Sequence, residues 1–304
     1  MGSAPSAGAR TIAVLVNPRT GCLRVKQEVA RFQELARHAG WNVVVDQDLP
    51  RMTTEADRLH ANHELKMLVG VGGDGTLAEL VNRTEPGVPI TLLAGGTANL
   101  LAKHFRLARD ARQLLNIVEN GRTLQMDVGR ANGRLFIAML SCGLDARVVQ
   151  DVHAHRAAQA GQHSYWSFLG PSWRALWNYR YPAIRVSGVD DRAAAMASRT
   201  ARWVFVCNLP RYGWGVTLAP RASTHDGLLD LCTFSRGSLL STIGYLFATQ
   251  LGVQRRLPSH DIRPVQRVRL ECDERVLYQL DGDPGGELPV EVEILPQRLT
   301  LGVQ

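Results

Sequence analysis

The chain has 304 residues, 45% of them hydrophobic and 21% charged, which excludes a disordered chain and allows one large domain or two ordinary ones. Lys and Arg (35) outnumber Asp and Glu (28), and the net charge of +7 favours an anionic partner: a nucleotide, a nucleic acid or an acidic membrane surface. Five scattered cysteines without C-x-x-C pairs argue against a disulfide scaffold or zinc site and predict a reducing, cytoplasmic location.

The start of the chain is small and polar, and it lacks the apolar segment of a signal peptide. We expect residues 1–10 to form a flexible tail. No run reaches the roughly 18 apolar residues of a membrane-spanning helix. The sequence therefore predicts a protein that is soluble or rests on a membrane without crossing it.

Apolar runs alternate with helical patterns in the first part of the chain. The predicted strands are Thr11–Val16, Asn42–Asp46, Lys66–Val71 and Pro89–Ala94. The predicted helices run from Val25 to Gly40, from Thr54 to Glu64, from Thr76 onward and from Leu100 to Phe105. Strands that alternate with helices form a parallel, doubly wound sheet, and we expect this α/β domain to comprise residues 11–126.

A glycine-rich stretch, Gly72-Gly73-Asp74-Gly75-Thr76, ends the third strand and opens a helix. Glycine backbone can approach a phosphate closely because no Cβ intervenes. We expect Thr76 and Glu79 to form a capping box at a helix start that faces the phosphate. This part of the sequence also matches the dinucleotide-binding fingerprint. However, the Asp74 carboxylate would repel a pyrophosphate unless a cation lay between them. Asp74 therefore favours a magnesium–nucleotide complex.

Two other predicted strands end in similar residues. The first strand is followed by Asn17-Pro18-Arg19-Thr20-Gly21, and the fourth by Gly95-Gly96-Thr97-Ala98-Asn99. Open α/β sheets bind ligands at the carboxyl ends of their strands. We expect the three strand ends to converge on one nucleotide.

After Leu124 the pattern changes to short β-like runs. These are Phe136–Leu140, Ala183–Val186, Trp203–Cys207, Leu229–Phe234, Val265–Leu270 and Val276–Leu280. Asn132-Gly133 predicts a hairpin turn. We expect a mainly antiparallel sandwich or barrel over residues 127–289, and a last strand in residues 290–304 that could rejoin either domain.

Two stretches interrupt this β pattern. The segment Tyr165–Tyr181 holds seven aromatic residues with Arg174 and Arg180 among them, and a place at a lipid–water boundary and plain packing are equally compatible with it. The second stretch is one apolar helical stripe followed by Arg255-Arg256, and we expect it to be core: Leu239, Leu240, Ile243, Leu246, Phe247 and Leu251.

Six motifs occur in the order that one known family shows: Asn17-Pro18-x-x-Gly21, Gly72-Gly73-Asp74-Gly75-Thr76, Gly96-Thr97-Ala98-Asn99, Asp127-x-Gly129, Asp226-Gly227-Leu228-Leu229-Asp230 and Asp281-Gly282-Asp283. By these motifs almost the whole chain resembles the diacylglycerol kinase catalytic family, in particular the soluble bacterial lipid kinases that are similar to sphingosine kinases. The resemblance implies a doubly wound α/β domain like that of NAD kinases, a C-terminal antiparallel β-sandwich that receives the lipid, and an active site in the cleft between them.

The resemblance also implies roles for individual residues. ATP would be bound by Asn17, Pro18, Thr20, Gly21, Gly72, Gly73, Asp74, Gly75, Thr76, Gly96, Thr97 and Asn99. The carboxylates of Asp74, Asp127 and Asp281 would organise Mg²⁺, water and phosphate. Asp283 would be the general base on the lipid hydroxyl, at a position where the family usually has Glu. Because the Asp arm is shorter, Glu287 remains a second candidate for the base.

The segment Ser223–Leu228 resembles a loop that binds a structural Mg²⁺ in some bacterial members. Its ligands would be the carbonyls of Ser223 and Leu228 and the carboxylate of Asp226, which suit a hard cation. Many members have two consecutive acids where this chain has His225-Asp226, so a plain turn remains the alternative. The other histidine pairs lack a third metal ligand, and we expect solvent or core positions for His60, His63, His153 and His155.

The leading hypothesis is an ATP-dependent lipid kinase that phosphorylates the hydroxyl of a membrane lipid such as diacylglycerol, uses Mg²⁺ and associates peripherally with a membrane. NAD kinase is one alternative, although the expected Asn-Glu pair for the ribose is missing. A catalytically weak nucleotide- or lipid-binding regulatory protein is the other. We expect no nucleic-acid partner, because no basic run has interleaved rings. The acceptor lipid and the oligomeric state, a homodimer included, are left open.

Overall fold

Four apolar runs form the parallel sheet of the first unit: β1 (Thr11–Val16), β2 (Asn42–Asp46), β3 (Leu65–Gly72) and β4 (Pro89–Ala94). Their order is β2-β1-β3-β4, and the end of the last strand, β16 (Val290–Val303), pairs in parallel with β4. The computed structural model describes residues 10–18, 23–96, 99–158, 170, 177–188, 198–212 and 216–304. The chain divides into two units, Met1–Met126 with Gln297–Gln304 and Asp127–Pro296.

The helices of the first unit are α1 (Leu23–His38), α2 (Leu49–Ala61), α3 (Asp74–Arg83), α4 (Leu100–His104) and α5 (Ala111–Asn120). α1 packs on α5 and α2 on α3, and one apolar cluster joins α1, α5 and the sheet around Phe32, Val69 and Leu114. The predicted start of α2 at Thr54 is wrong. The Asp48 carboxylate caps this helix by accepting the N–H of Arg51 at 2.8 Å, and a proline is tolerated in the first turn.

The second unit is built from antiparallel strands: β5 (Arg122–Ala131, which begins in the first unit), β6 (Arg134–Phe136), β7 (Met139–Cys142), β8 (Ile184–Gly188), β9 (Arg199–Ala201), β10 (Trp203–Cys207), β11 (Leu229–Phe234), β12 (His260–Val265), β13 (Arg267–Glu271), β14 (Leu277–Leu280) and β15 (Asp283–Glu287). One layer has the order β12-β11-β10-β7-β14-β15, and the other contains β16-β13-β8-β9. Alternate side chains of both layers, such as Val204 and Val268, form one buried core. The predicted β-sandwich is confirmed.

The hairpin predicted at Asn132-Gly133 is confirmed. Both residues have positive φ, 45° and 89°, and the flanking Ala131 and Arg134 are paired. The predicted strand Phe136–Leu140 is instead two strands, because the N–H groups of residues 137–139 donate to a carboxylate and not to a neighbouring strand.

The described helices of the second unit are α6 (Leu144–Ala158) and α7 (Leu239–Gln250), and a short 3₁₀ turn, Gln254–Arg256, follows α7. The prediction that the apolar stripe of α7 is core is wrong. Leu240 and Phe247 are 82% and 67% exposed, whereas Tyr245 and Thr249 on the opposite face are buried. Among the helices that the structure describes, none combines the length and the apolar character needed to cross a membrane.

Candidate active site

Asn17 follows β1, and Thr76 lies in the first turn of α3. The Asn17 Nδ2 donates to the Thr76 Oγ1 at 3.0 Å, and the Asn17 N–H donates to the Val71 carbonyl at 3.2 Å. The parallel register aligns Val16 with Val71, so the carboxyl ends of β1 and β3 lie side by side. The structure thus brings together two of the side chains predicted to bind a nucleotide.

The loops that follow β3 and β4 touch through two glycines. A Cβ added to Gly96 would lie 2.6 Å from the Cα of Gly73, and one added to Gly73 would lie 3.1 Å from the Cα of Gly96. The Gly95 N–H also donates to the Gly72 carbonyl at 2.8 Å. The close approach of the two backbone segments therefore requires glycine at both positions. This reason is separate from the one that the sequence predicts, which is the close approach of a phosphate.

Asp74 connects these two loops. It is the first residue of α3, but its carboxylate accepts the N–H of Leu100 at 2.7 Å and of Leu101 at 3.0 Å, at the start of α4. Burial raises the pKa of this carboxyl, while the two hydrogen bonds and Lys103 oppose the rise. Asp74 therefore holds the loop after β4 in place and keeps a partly desolvated acidic group at the sheet edge.

The capping box predicted from Thr76 and Glu79 is wrong. α3 begins two residues before Thr76, and no side chain caps it. The Thr76 hydroxyl oxygen accepts from Asn17, and Glu79 pairs with Arg83 at 3.1 Å. Both members of the expected box are thus engaged by other partners.

Asn99 closes the loop between β4 and α4. It has a left-handed φ of 48°, and its Oδ1 accepts the Gly96 N–H at 3.1 Å while its Nδ2 donates to the Gly96 carbonyl at 2.6 Å. Among the other residues predicted to bind ATP, Pro18 is exposed and Gly75 lies in the first turn of α3. Thr20, Gly21 and Thr97 lie outside the described residues.

In the second unit, Asp127 anchors the loop predicted to hold a structural Mg²⁺. Asp127 is 1% exposed; its carboxylate accepts the Gly227 N–H at 2.7 Å, and its own N–H donates to the Thr224 carbonyl at 2.7 Å. Two of the predicted motifs, which are distant in sequence, are therefore in direct contact. The contact fixes the backbone of residues 224–227.

The exposed Asp226 lies in that loop, and its Oδ1 accepts the Leu228 N–H at 3.1 Å. Burial raises the pKa of the neighbouring Asp230 carboxyl, and the charge of Asp226 raises it further. The backbone carbonyls of this turn and the two interacting carboxylates are oxygen donors. Such a donor set fits Mg²⁺ by type.

Asp281 and Asp283 are separated by Gly282 in a tight turn between β14 and β15. Asp281 has a φ of 53°, and its carboxylate accepts the N–H groups of Ile137, Ala138 and Met139 at 2.6, 2.8 and 2.9 Å. Asp281 therefore organises a loop. The Asp283 side chain is 38% exposed and remains accessible.

Matches to known proteins cover both units. Residues 11–131 match the diacylglycerol kinase catalytic domain, and residues 138–303 match the YegS C-terminal NAD kinase beta sandwich-like domain. The chain belongs to the diacylglycerol kinase catalytic family.

The relatives agree with this assignment. A protein named diacylglycerol kinase from Bacillus subtilis (strain 168) is 25% identical over 288 residues, 91% of each chain. A crystal structure of a diacylglycerol kinase from Bacillus anthracis str. Sterne has a TM-score of 0.68 at 17% identity and covers 99% of both chains. Yeast NADH kinase, complexed with NADH, has a TM-score of 0.55 at 12% identity and covers 97% of this chain and 82% of its own. At these identities the two structures show a shared fold.

In this member of the diacylglycerol kinase family, His153 is a candidate site residue that the sequence does not reveal. Its Nε2 lies 3.2 Å from the Asp283 Oδ1, and the Arg134 Nη2 lies 3.9 Å from the other oxygen. The His153 side chain is 37% exposed, and its contact with Asp283 is a feature that the expectation of a solvent or core position did not include. Its place on α6, on the face that packs against β14 and β15, is set by tertiary structure.

A buried polar network supports the same turn. Asp145, at the start of α6, accepts hydrogen bonds from the Ser141 hydroxyl and, at 2.7 Å, from the Trp203 Nε1. Gln279 Nε2 donates to Ser141 Oγ at 2.7 Å, and Gln279 Oε1 accepts the Gly282 N–H at 2.7 Å. Burial raises the pKa of the Asp145 carboxyl, and the two side-chain hydrogen bonds oppose the rise. Nothing in the sequence around Asp145 distinguishes it from a surface residue of a helix.

Across the described part of the chain, no three His, Cys, Asp or Glu side chains lie close enough together to hold a metal ion by themselves. The predicted magnesium ligands at Ser223 and Leu228 are backbone carbonyls. A site made of them would be completed by water and phosphate oxygens, as is usual for Mg²⁺.

Proposed function

We propose that this protein is an ATP-dependent lipid kinase that transfers the γ-phosphoryl group of ATP to the hydroxyl of a membrane lipid such as diacylglycerol. The observation that carries the proposal is the presence of both family domains in one chain. Each domain has its own set of polar residues that hydrogen bonds hold in place. We further propose that it works in the cytoplasm at a membrane surface, where its substrate resides. The proposal requires both sets of residues to act on one ATP and one lipid during turnover.

The first set would bind ATP at the carboxyl edge of the parallel sheet. The hydrogen bond between Asn17 and Thr76 and the contact of Gly73 with Gly96 support this, because they order three strand ends before any ligand arrives. A rigid site loses little entropy on binding, and phosphoryl transfer depends mainly on positioning and charge neutralisation.

Mg²⁺ would neutralise phosphate charge when bound. The carboxylates of Asp74, Asp127 and Asp281 would supply the negative field for it while they hold their loops through backbone N–H groups. The loop with Ser223, Asp226 and Leu228 would hold a second, structural ion through oxygen atoms.

The second set would act on the lipid. As the lipid hydroxyl oxygen bonds to the γ-phosphorus, the bond from that phosphorus to the β,γ-bridging oxygen breaks and ADP leaves. The hydroxyl proton passes to the carboxylate of Asp283. His153 and Arg134 would orient this carboxylate.

Asp283 is a better candidate for the base than Glu287. The Glu287 carboxylate accepts a hydrogen bond from the Arg275 Nε at 2.8 Å, and it lies opposite Leu277, at the end of the β14–β15 ladder away from the aspartate turn. Asp283 lies next to Gly282, whose N–H is fixed by Gln279. The buried network would thereby position Asp283 and compensate for the short arm.

The activity is tested with the purified full chain, labelled ATP and mixed micelles that contain diacylglycerol, with NAD as a parallel acceptor. We expect label in the lipid. Label in NADP would replace the proposal by NAD kinase, which the likeness to yeast NADH kinase keeps as the second candidate. ATP binding without transfer to either acceptor would favour the regulatory alternative.

Substitution Asp283→Asn tests the assignment of the base. Loss of the proton acceptor is expected to lower kcat by about 10²- to 10⁴-fold with little change in KM for ATP. Glu287→Gln is the matched control, and we expect near-normal turnover from it in the same micelle assay. The reverse ranking of the two variants would assign the base to Glu287.

A further inference from the structure

The helix α7 has its polar and apolar faces exchanged relative to an ordinary surface helix. Seven large apolar side chains are exposed in the described part of the chain, and five of them lie on α7 or at its C-cap: Leu240, Ile243, Leu246, Phe247 and Leu251. They recur at spacings of three and four residues and form one stripe, the docking face. The opposite, buried face carries Thr242, Tyr245 and Thr249.

Hydrogen bonds fix the helix in this rotation. The Thr242 hydroxyl donates to the Tyr181 hydroxyl at 2.8 Å, and the Tyr245 hydroxyl accepts the N–H of Arg236 at 3.1 Å. The Tyr245 ring also packs on Phe234 at a centroid distance of 4.5 Å. Turning the apolar stripe inward would leave these buried groups without partners, which is costly. The contacts of Thr242 and Tyr245 therefore hold the apolar stripe on the outside of the second unit.

The surroundings of the docking face are cationic. Between Asp230 and Asp261 the sequence contains no acidic residue. The three charged side chains of this stretch are those of Arg236, Arg255 and Arg256. All three arginines are exposed, and the last two lie in the 3₁₀ turn that packs on α7. Of the acids that bound this stretch, Asp261 is already paired with two arginines at 2.7 and 2.6 Å, and Asp230 is half-buried and is offset by the charge of Arg255. An apolar stripe with basic margins matches an anionic lipid surface.

We propose that the docking face of α7 inserts into the headgroup region of an anionic bilayer, with Arg255 and Arg256 on lipid phosphates. This inference rests on the proposed function and deepens it, since it names the surface that brings the enzyme to its substrate. The twelve residues of α7 span about 18 Å, which suits a helix that lies in the plane of the interface. Trp177, four residues before Tyr181, is 60% exposed and belongs to the aromatic segment predicted from the sequence; most of that segment lies outside the described residues.

A second copy of the chain is a weaker occupant for this face. Arginines lie at both ends of α7, Arg236 before it and Arg255 and Arg256 after it. Two copies packed through this face would therefore bring arginines together whether the helices ran parallel or antiparallel, and like charges repel across a desolvated contact. An anionic bilayer gains from the same charges.

Sedimentation of the full chain with vesicles tests the proposal. Vesicles of phosphatidylcholine with phosphatidylglycerol are compared with vesicles of phosphatidylcholine alone. We expect the wild type to bind the mixed vesicles, Leu240→Gln with Phe247→Gln to weaken binding by about tenfold or more, and Arg255→Gln with Arg256→Gln to weaken it by about fivefold per arginine. Salt should weaken binding of the wild type more than that of the arginine variant.

Two control variants match these changes on another surface. Leu23→Gln removes a leucine that is 71% exposed on α1, and Arg112→Gln removes an exposed arginine on α5; both should bind vesicles like the wild type. Because the α7 changes are at exposed positions, melting temperatures should stay unchanged.

The outcomes are distinct. Vesicle binding that survives the α7 substitutions, or its absence in the wild type, overturns the docking proposal. So does a wild-type dimer that the leucine and phenylalanine substitutions dissociate, which would assign the face to a second copy. Lipid phosphorylation in detergent micelles separates the two proposals: if it is absent while α7-dependent vesicle binding is present, the kinase proposal fails and the docking face stands.

Discussion

Most of the acidic side chains in the candidate site hold backbone in place. Asp74 bonds the start of α4, Asp127 bonds the loop at Gly227, and Asp281 bonds three successive N–H groups. Asp283 differs from them, because its described neighbours are the side chains of Arg134 and His153 and it remains part-exposed. A part-exposed carboxylate that is not engaged in holding backbone can be reached by a substrate hydroxyl, which a general base requires.

His153→Gln tests the positioning role of His153. Removal of the imidazole is expected to lower kcat by about tenfold, because the Asp283 carboxylate loses a partner that fixes its orientation, and to leave KM for ATP unchanged. His153→Arg should restore part of the rate, which a purely structural role would not predict. His155→Gln is the control at an exposed position two residues on, and a rate equal to that of His153→Gln would contradict the assignment.

At the scale of elements, the loops after β3 and β4 are joined to each other by direct contacts. They share the contact of Gly73 with Gly96, the hydrogen bond from Gly95 to Gly72 and the carboxylate of Asp74. A change in either loop must therefore propagate to the other, and through Thr76 to Asn17.

Gly96→Ala tests this coupling. The added Cβ would lie 2.6 Å from the Cα of Gly73, and since neither atom belongs to a flexible side chain, the backbone must shift. We expect a loss of about 1–3 kcal/mol in the free energy of unfolding and weaker ATP binding. Gly244→Ala on α7 is the control: its Cβ would meet no atom within 4 Å, and alanine should stabilise the helix slightly. Thermal melting and ATP titration measure both effects, and equal behaviour of the two variants would refute the coupling.

At the scale of the whole molecule, we expect the stability of the fold to depend on pH through a partly buried ring. His260, at the start of β12, packs on Phe234 at 4.5 Å, and its Nε2 is buried without a hydrogen-bond partner. Burial lowers its pKa from 6.5 to about 4; Arg255 lowers it further and Asp261 opposes this. The folded protein therefore keeps this ring neutral at pH values where the unfolded chain binds a proton.

Urea unfolding of the wild type and His260→Gln at pH 7 and near pH 4.5 measures the effect. Because the folded pKa is depressed, stability should fall as the pH drops from 6.5 towards 4. The wild type should lose about 1–2 kcal/mol relative to the variant over this range, after allowance for the partial exposure of the ring. Parallel losses in the two proteins would show that His260 is not the group responsible.

Local features of the sequence determined the elements and their class. Apolar runs and turn residues predict β1, β2 and β4 with the bounds observed and the hairpin at Asn132, because strand patterns and turn conformations depend on near neighbours. The motif order determined the family.

Tertiary structure alone decided which face of a helix is buried and which side chains meet. The spacing of Leu240, Phe247 and Leu251 predicts one face of a helix, but the partners of Thr242 and Tyr245 lie elsewhere in the chain and turn that face outward. For the same reason the sequence could not place His153 beside Asp283, since the packing of α6 on β15 brings them together. Such contacts join residues far apart in sequence, and no local pattern encodes them.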